Sequence, residues 1–343
     1  MAGTQALIQV QQLTKRFASR GDSGVREIVA VDGVTFSVQP GEVVGFLGPN
    51  GAGKSTTMKM VTGYLSPSAG TAKVAGFDVQ TQTREAQQQL GYLPEGAPAY
   101  PDMTPESFLK FCADARGLKG EARKKSLEKA VARTNLQGVL RQNVETLSKG
   151  FKRRVGLAQA ILHEPRVLIM DEPTDGLDPN QKHEVRALIR EMAREGGSEK
   201  GKAIVLSTHI LEEVDAVCSR VVMIAKGKLV ADCTPAELLA KSRYHNAVTV
   251  TVRTPSGARV REELLGLSGV KTVEIAEDQV REGAATSWTA LPHEAHLGPA
   301  LAPKILELCK QRGWNVDAIR METGRLDDVF REMTVEKALG TGH

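Results

Sequence analysis

Several features that mark specialised protein classes are scarce or missing in this sequence of 343 residues. Its four cysteines, at positions 112, 218, 233 and 309, are far apart in the chain. We therefore expect a reducing compartment, with neither a disulfide framework nor a zinc site. No apolar run approaches the roughly 18 residues of a membrane-spanning helix, and the first residues lack the basic and apolar regions of a secretory signal. Any link to a membrane is expected to run through a partner.

A strong charge of one sign is missing as well. The formal net charge is only +4 at pH 7, and such a mild excess does not indicate nucleic-acid binding. We therefore expect no direct nucleic-acid partner. Hydrophobic residues make up 41% of the chain and charged residues 25%, which is typical of a soluble globular protein. The length predicts about two domains.

A glycine-rich segment carries the clearest chemical signal. It reads Gly48, Pro49, Asn50, Gly51, Ala52, Gly53, Lys54, Ser55 and Thr56. This order fits a phosphate-binding loop, in which backbone N–H groups surround the phosphates and the lysine reaches the β- and γ-phosphates. An apolar stretch at 43–47 precedes it as a buried strand would, and helical composition follows at 57–61. Because free amides at a helix N-terminus favour an anion, the segment predicts a nucleotide site.

Predicted strands and helices alternate through most of the chain. Residues 167–170 and 203–207 have the composition of buried strands, and the helix between them begins at Asp178. This alternation predicts a largely parallel sheet with phosphate chemistry at the carboxyl ends of its strands. Near the N-terminus, the polar stretch 19–24 is interpreted as an exposed loop between two short strands.

Residues 104–146 have helical composition, with Thr104 as the predicted N-cap and Pro105 at the first helical position. Basic side chains recur along this region at Lys119, Arg123, Lys124, Lys125, Lys129 and Arg133. A solvated helix face is the main interpretation of these residues. Contact with anionic lipid headgroups is the alternative.

The composition changes again near residues 241–243. The elements beyond this point follow the order β-α-β-β-α-β, with strands near 248–252, 270–276, 287–291 and 315–321. That order matches a ferredoxin-like split unit. We therefore predict two domains, residues 1–243 and an α+β accessory domain at residues 244–343.

Two carboxylates follow the predicted strand at 167–170. Asp171 stands where a Mg²⁺-binding carboxylate belongs beside a phosphate loop, and Ser55 would supply a second oxygen ligand. The adjacent Glu172 is placed to orient or deprotonate an attacking water. A solvated turn is the alternative for such a pair, and the nearby phosphate loop argues against it.

Five motifs occur in a characteristic order. They are the phosphate loop, Leu147-Ser148-Lys149-Gly150-Phe151, Asp171-Glu172, Gly176-Leu177-Asp178 and Ser207-Thr208-His209. Over residues 6–240 this order resembles the nucleotide-binding subunit of an ATP-binding cassette (ABC) transporter. The resemblance implies a P-loop NTPase fold with a parallel core sheet, an antiparallel β subdomain and a helical signature subdomain at about 98–163. It also implies ATP and Mg²⁺ as cofactors and ATP hydrolysis as the activity.

The resemblance assigns roles to three further residues. Phe17 takes the place of the aromatic residue that stacks on adenine, whereas its position alone would favour core packing. Glu95 stands where the family usually has a glutamine that senses Mg²⁺ and the permease, so it joins Ser55 and Asp171 as a metal-site residue. His209 matches the switch histidine that contacts the γ-phosphate.

The signature motif of the resemblance implies a second subunit. In the family, Ser148, Lys149 and Gly150 would bind the γ-phosphate of ATP held by the other subunit, and Asp178 belongs to the loop that crosses the dimer interface. Lys149 and Phe151 replace the family's usual glycine and glutamine, which changes the contacts available to the phosphate. A homodimer or a heterodimer of ATPase chains is therefore expected.

The resemblance implies a subunit bound to membrane permeases at the cytoplasmic face of the inner membrane. The stretches 93–95, 147–150 and 326–330 are similar to exporter-type ATPases with separate permeases, from the gliding-motility and drug or polysaccharide efflux group. An importer ATPase with a regulatory C-terminal domain is one alternative, and a barrel of short strands there would favour it. A soluble ABC ATPase acting on ribosomes or DNA is the other. The single phosphate loop and the lack of sustained heptads argue against it.

Overall fold

The computed structural model describes residues 5–21, 24–96, 99–195, 201–208, 210–253, 257–275, 285–325, 328–329 and 331–332. The chain folds into two compact units, Met1–Pro235 and Ala236–His343. The segment just before residue 244 lies in the second unit, where the Ser242 hydroxyl donates to Asp328 Oδ2 over 2.8 Å. No helix in the described ranges is both long enough and apolar enough to cross a bilayer.

A six-stranded sheet forms the centre of the first unit. Its spatial order is β10 (Lys228–Cys233), β9 (Arg220–Ala225), β3 (Val43–Leu47), β8 (Ala203–Thr208), β7 (Val167–Asp171) and β6 (Leu90–Leu93). All neighbours are parallel except β9 and β10. Strands β3, β7 and β8 are buried along their whole length, as their continuous apolar sequences predict for strands covered on both faces.

The register of this sheet brings several strand ends together. Leu47 at the end of β3 lies opposite Thr208, and Asp171 at the end of β7 lies opposite Ser207. Parallel strands share their direction, so the segments that follow β3, β7 and β8 leave the sheet at one edge.

The first unit also contains a four-stranded antiparallel sheet, with two strands before β3 and two after it in the chain. Its order is β2 (Gly24–Val38), β1 (Ile8–Gly21), β4 (Ala69–Val74) and β5 (Phe77–Asp78). The prediction of a loop at 19–24 is wrong for residues 19–21 and 24, which are paired in this sheet, with Arg20 opposite Val25 and Gly21 opposite Gly24. Residues 22 and 23 lie outside the described part of the chain. Backbone groups make this ladder, so polar side chains do not prevent it.

Seven helices are described in the first unit up to residue 217. They are α1 (Lys54–Val61), α2 (Thr83–Gln88), α3 (Pro105–Ala115), α4 (Gly120–Arg133), α5 (Lys149–Ile161), α6 (Pro179–Arg194) and α7 (Leu211–Val217). Short 3₁₀ turns at Gln137–Val139 and Val144–Thr146 join α4 to α5. The predicted cap of α3 is confirmed, since Thr104 Oγ1 accepts from the Ser107 amide over 3.2 Å.

Three of the six basic residues named above for the helical region form ion pairs within the chain. Their partners are Asp114 for Arg123, Glu164 for Lys129, and Glu195 for Arg133. Charges already neutralised by neighbouring carboxylates contribute little to binding an anionic surface. The solvated helix face therefore remains the better interpretation.

The second unit has the predicted ferredoxin-like order. Its elements are α8 (Pro235–Leu239, which begins at the boundary), β11 (Val248–Arg253), α9 (Gly257–Leu265), β12 (Val270–Ile275), β13 (Ala285–Pro292), α10 (Gly298–Arg312) and β14 (Asn315–Met321). The sheet runs β12-β13-β11-β14 with every neighbour antiparallel. Buried Val250, Trp288 and Ile305 belong to its larger hydrophobic cluster.

Candidate nucleotide site

The phosphate loop between β3 and α1 is built so closely that two of its glycines leave no room for a side chain. A Cβ atom on Gly48 would lie 2.3 Å from the Ile224 carbonyl oxygen, and one on Gly53 would lie 2.4 Å from that of Ala30. Gly53 also has a φ of 104°, which other residues rarely adopt. The backbone of the loop therefore packs directly against other segments of the fold. At these two glycines, no side chain can come between the loop amides and a ligand.

The helix that follows the loop begins without a side-chain cap. Gly53 occupies the N-cap position of α1 and has no side chain to accept from the first-turn amides. These amides, together with the positive end of the helix dipole, form an anion site. Ser55 and Thr56 lie in this first turn and are only partly buried.

Lys54 lies inside the loop and is only 7% exposed. Its Nζ donates to the carbonyl oxygens of Gly48 over 2.6 Å and Pro49 over 3.3 Å. Burial lowers the pKa of the Lys54 ammonium, and the nearby carboxylates of Glu172, Asp171 and Glu95 act in the opposite direction. The predicted lysine and three predicted acidic residues are therefore close enough to interact electrostatically.

The predicted acidic pair lies at the carboxyl end of β7. Asp171 is the last residue of that strand and is 3% exposed. Glu172 follows with φ of 49°, in the left-handed region, and its amide donates to the Ser207 carbonyl oxygen over 2.9 Å. The alternative of a solvated turn, which the sequence already disfavoured, does not hold for Asp171, because that residue is buried.

The sequence did not single out Arg153, which contacts the same turn. This residue of α5 is 6% exposed and donates from Nη1 to the Pro94 carbonyl oxygen over 3.0 Å. Its Nη2 donates to the carbonyl oxygens of Asp171 and Glu172. Burial lowers the pKa of the Arg153 guanidinium, and the carboxylates around it act in the opposite direction. A run of three basic residues after Phe151 was the available signal, but it reads as a solvated helix surface.

Glu213 of α7 is a second residue that the sequence did not single out. It is 3% exposed, and Thr208 Oγ1 donates to its Oε2 over 2.9 Å. The hydroxyl of Thr174, which follows the acidic pair, donates to its Oε1. Lys182 Nζ lies 3.8 Å from the same oxygen. Glu213 thus joins the turn after β7 to the end of β8.

The predicted signature residues begin α5. Ser148 Oγ accepts from the Phe151 amide over 3.3 Å, which makes it the N-cap, and the Ser148 and Lys149 side chains are exposed. A Cβ atom on Gly150 would lie 2.3 Å from Gln181 Oε1 of α6. The start of the signature helix therefore faces solvent on one side and touches α6 on the other.

Asp178 caps α6, because its Oδ1 accepts from the Gln181 amide over 2.9 Å. The preceding Gly176 lies beside the Lys149 side chain, with 3.4 Å between a Cβ built on the glycine and Lys149 Cδ. The segment expected at a dimer interface and the signature motif are thus adjacent within one chain.

The remaining predicted residues are exposed or lie outside the described part of the chain. Phe17 is 39% exposed, and Lys15 Nζ lies 5.2 Å from its ring centroid, so the core-packing interpretation of Phe17 is wrong. Glu95 is exposed in the turn after β6. His209 falls outside the described residues.

The side-chain oxygens of Ser55 and Asp171 suit a metal ion that also binds the phosphates of a nucleotide. Among the described residues, no three His, Cys, Asp or Glu side chains cluster as a complete metal cage. Mg²⁺ does not require one, since it is usually held by one or two protein oxygens, water and the substrate's phosphates. A buried Asp171 near a phosphate loop that carries Ser55 fits that pattern.

A groove of about 1190 Å³ opens between the core sheet and the helical region. Aromatic rings recur along it: Tyr64, Tyr92, Tyr100, Phe108 and Phe111. Tyr64 is 71% exposed and Phe111 is 51% exposed. Pro94, next to Glu95, also lines this groove. Exposed aromatic rings at this density are typical of a surface that binds another protein.

The chain is similar to proteins of a known family. Residues 31–175 match the family model described as ABC transporter. The chain is 37% identical over 238 residues to the probable multidrug ABC transporter ATP-binding protein YbhF of Escherichia coli strain K12, covering 69% of this chain and 39% of that protein. The chain therefore spans well under half of that relative.

Two further similarities extend over most of the matched protein. The Nod factor export ATP-binding protein I of Burkholderia pseudomallei strain 1710b is 35% identical over 259 residues, which is 76% of this chain and 80% of that protein. A solved structure of an ATP-binding subunit of an ABC transporter is 31% identical with a TM-score of 0.59, covering 68% of this chain and 91% of the other.

Proposed function

Because this chain belongs to the ABC transporter family, we propose that it binds and hydrolyses ATP as the energy-supplying subunit of a membrane transporter. One observation carries the proposal. Strands β3 and β7 both pair in parallel with β8, so the phosphate loop with its buried Lys54 and the acidic pair with its buried Asp171 follow the same edge of the core sheet. A phosphate cradle beside a buried metal-type carboxylate and a second carboxylate is the arrangement that nucleotide hydrolysis requires.

Each part of the cradle has a distinct task in this proposal. The amides of residues 48–56 surround the phosphates, and Lys54 exchanges its loop carbonyl partners for phosphate oxygens. Ser55 and Asp171 would hold Mg²⁺, and Glu95 would add a third oxygen-bearing side chain to the metal site. When bound, the metal neutralises the charge that develops on the phosphates during transfer. Glu172 orients the attacking water and accepts its proton.

We propose that the complete site requires two copies of this chain. The exposed N-terminus of α5, with Ser148 and Lys149, carries free amides and positive charge. Such a helix end suits the γ-phosphate of ATP held on the phosphate loop of the other copy. Asp178 and Gly176 lie beside the signature within each chain, so the same contact face would include both.

The aromatic groove supplies a surface for the permease subunits. It borders the turn that holds Glu95 and lies beside the helical region. A permease segment seated there would contact the nucleotide site through Pro94 and Glu95. In this proposal the chain is bound to the permease at the cytoplasmic face of the inner membrane. Burial of exposed aromatic rings would provide much of the binding free energy.

Export is the direction we propose, on the basis of the two relatives named for multidrug transport and Nod factor export. The importer alternative expected a barrel of short strands after residue 244. The second unit instead has one four-stranded antiparallel sheet with two helices between its strands, which does not support that alternative.

The exchange Glu172→Gln tests the proposed activity. It keeps the size of the side chain but removes the base, so ATP turnover should fall by about 10²- to 10⁴-fold. ATP binding should remain, because the phosphate loop is unchanged. Phosphate release and the equilibrium binding of a fluorescent ATP analogue would be measured side by side.

The exposed Glu145 offers a matched control. Glu145→Gln has the same change of charge in the same unit and should leave turnover unaltered. Turnover of the Glu172→Gln variant close to that of the unsubstituted protein would contradict the assignment of Glu172 as the base.

A further inference from the structure

A single buried guanidinium joins three segments around the proposed catalytic turn. Arg153 lies on α5, three residues after Gly150, and is 6% exposed. It donates to the carbonyl oxygens of Pro94 after β6, of Asp171 and Glu172 at the end of β7, and of Pro173 over 3.4 Å. Four backbone acceptors around one guanidinium are more than a surface arginine requires.

The backbone of Glu172 needs such support. Its φ of 49° is left-handed, a sparsely populated conformation that is strained for a residue with a Cβ atom. Three backbone hydrogen bonds support it there. Its amide donates to the Ser207 carbonyl oxygen over 2.9 Å, and its carbonyl oxygen accepts from the Asp175 amide over 3.1 Å and from Arg153. Because the backbone conformation limits the directions that a side chain can take, these bonds, with Arg153 as their one side-chain donor, also limit where the Glu172 carboxylate can reach.

The surroundings favour arginine over lysine at this position. Arginine presents five N–H donors in a planar fork, whereas lysine carries three on one nitrogen. The acceptors of Arg153 lie on both sides of that fork, with Nη1 directed to Pro94 and Nη2 to the acidic pair. A lysine ammonium cannot serve both sides at once.

The neighbouring Arg154 is also a buried arginine of α5, but it does not contact the turn after β7. It is 9% exposed and donates to the Glu184 carboxylate over 2.8 Å and to the Thr134 carbonyl oxygen over 3.4 Å. These contacts lie on α6 and at the end of α4. The chain thus contains two adjacent buried arginines, of which only Arg153 contacts the acidic pair.

We propose that Arg153 is a positioning residue, which fixes Glu172 in its left-handed conformation and so directs the carboxylate toward the attacking water. The inference rests on the proposed role of Glu172 as the base. Arg153 does not touch the nucleotide in this account. Its loss should therefore change the rate of hydrolysis more than the affinity for ATP.

The test compares kcat, the KM for ATP and equilibrium nucleotide binding in the unsubstituted protein and in Arg153→Lys, Arg153→Ala and Arg154→Lys. A displacement of about 1 Å at a catalytic group can cost on the order of 100-fold in rate. We expect kcat to fall by about 10- to 100-fold in both Arg153 variants, with KM and binding within about threefold. Arg154→Lys, which also alters a buried arginine, should keep kcat within about threefold.

Chemical rescue adds a readout that a general loss of stability would not give. Guanidinium chloride on the order of 10 mM, far below the molar concentrations that unfold proteins, should raise kcat of Arg153→Ala by entering the space of the lost side chain. The same addition should not raise kcat of Arg154→Lys. If Arg153→Ala does not fold, as judged by circular dichroism, Arg153→Lys still decides the kinetic comparison.

Three results would overturn the inference: an unchanged kcat in Arg153→Lys, an equal loss of kcat in Arg154→Lys, or a loss of ATP binding that accounts for the whole effect. Failure of the proposed function is separate from these. If Glu172→Gln retains turnover, the base assignment itself fails. If Glu172→Gln is inactive while Arg153→Lys is fully active, only the positioning role is lost.

Discussion

Lys54 and Asp171 are nearly inaccessible to solvent, whereas Phe17 and Ser148 are exposed. This division matches the tasks proposed for them. Charges that act on phosphate are stronger when water is excluded around them. Side chains that must meet another molecule, such as an adenine ring or the nucleotide of a second chain, have to remain accessible.

The exposed ring of Phe17 gives a prediction for adenine recognition. Base–aromatic stacking contributes about 1–3 kcal/mol per base, so Phe17→Ala should raise the KM for ATP by about tenfold and leave kcat at saturating ATP nearly unchanged. Phe17→Trp should retain the low KM. Steady-state kinetics with ATP would measure both.

Ile28 is the natural control for that experiment. It lies opposite Phe17 on β2 and is 53% exposed, so Ile28→Ala removes a similarly exposed apolar group from the same ladder. Its KM for ATP should stay unchanged. A KM for Phe17→Ala equal to that of the unsubstituted protein would exclude stacking on this ring.

A site residue was predictable from the sequence when the residues that it contacts lie close to it in the chain. The phosphate loop and the Asp171-Glu172 pair were predictable because each is a local motif next to an apolar strand. Arg153 was not, since its acceptors lie 59 residues before it and 18 to 20 residues after it. Only the sheet, by aligning β6 and β7, brings those carbonyl groups to one side chain.

At the scale of helices, the N-caps of α3 and α5 allow the effect of a cap on stability to be distinguished from an effect on ATP turnover. Ser148 caps α5 and Thr104 caps α3, and each side chain accepts from the amide three residues later. Replacing either by alanine should cost about 1 kcal/mol of stability. Only Ser148→Ala should also lower ATP turnover, by about 100-fold, because only that helix end is proposed to meet a phosphate.

Thermal unfolding and phosphate release, measured on both variants, would check this prediction. Thr104→Ala serves as the control for the loss of a cap. If both variants lose turnover equally, helix stability explains the effect and the proposed phosphate contact of Ser148 does not.

His163, which follows the end of α5, makes the stability of the fold depend on pH. Burial is the main cause that lowers the pKa of His163 from 6.5 to about 4, and His163 Nε2 lies 3.1 Å from the Leu90 carbonyl oxygen. The unfolded chain therefore takes up this proton at a higher pH than the folded one. The stability contributed by the neutral ring is present above pH 6.5 and is lost as the pH falls toward 4, with about 2 kcal/mol lost between pH 7 and pH 5.

His163→Gln should remove this part of the pH dependence while keeping an N–H donor for Leu90. Denaturant unfolding of both proteins at pH 7 and pH 5 gives the comparison. An equal loss of stability in the variant and in the unsubstituted protein would show that other groups cause the acid sensitivity.

The bounds of helices and strands were predictable where apolar residues define the element. They were not predictable where only backbone hydrogen bonds define it. The β-α-β-β-α-β order of the second unit was predictable because its strands alternate, as in Val248–Arg253. The extension of β1 and β2 through Arg20 and Val25 was not, since an antiparallel ladder of polar residues leaves no apolar signal.

At the scale of the whole molecule, the proposed site is divided between two chains. The phosphate loop, Asp171 and Glu172 belong to one edge of the core sheet, whereas Ser148 begins a helix whose exposed end faces solvent. A closed dimer with two-fold symmetry would place each signature on the other chain's nucleotide and create two identical sites. The phosphate loop then predicts an assembly as well as a ligand.

Mixing two inactive variants tests this division most directly. Lys54→Ala damages the phosphate loop, and Ser148→Ala damages the signature, so neither variant alone should hydrolyse ATP at an appreciable rate. In a mixed dimer, one site combines the intact loop of the Ser148→Ala chain with the intact signature of the Lys54→Ala chain. With half of the dimers mixed and one of two sites intact in each, up to about one quarter of the unsubstituted activity should return. A mixture as inactive as its components would contradict a site shared between two copies of this chain.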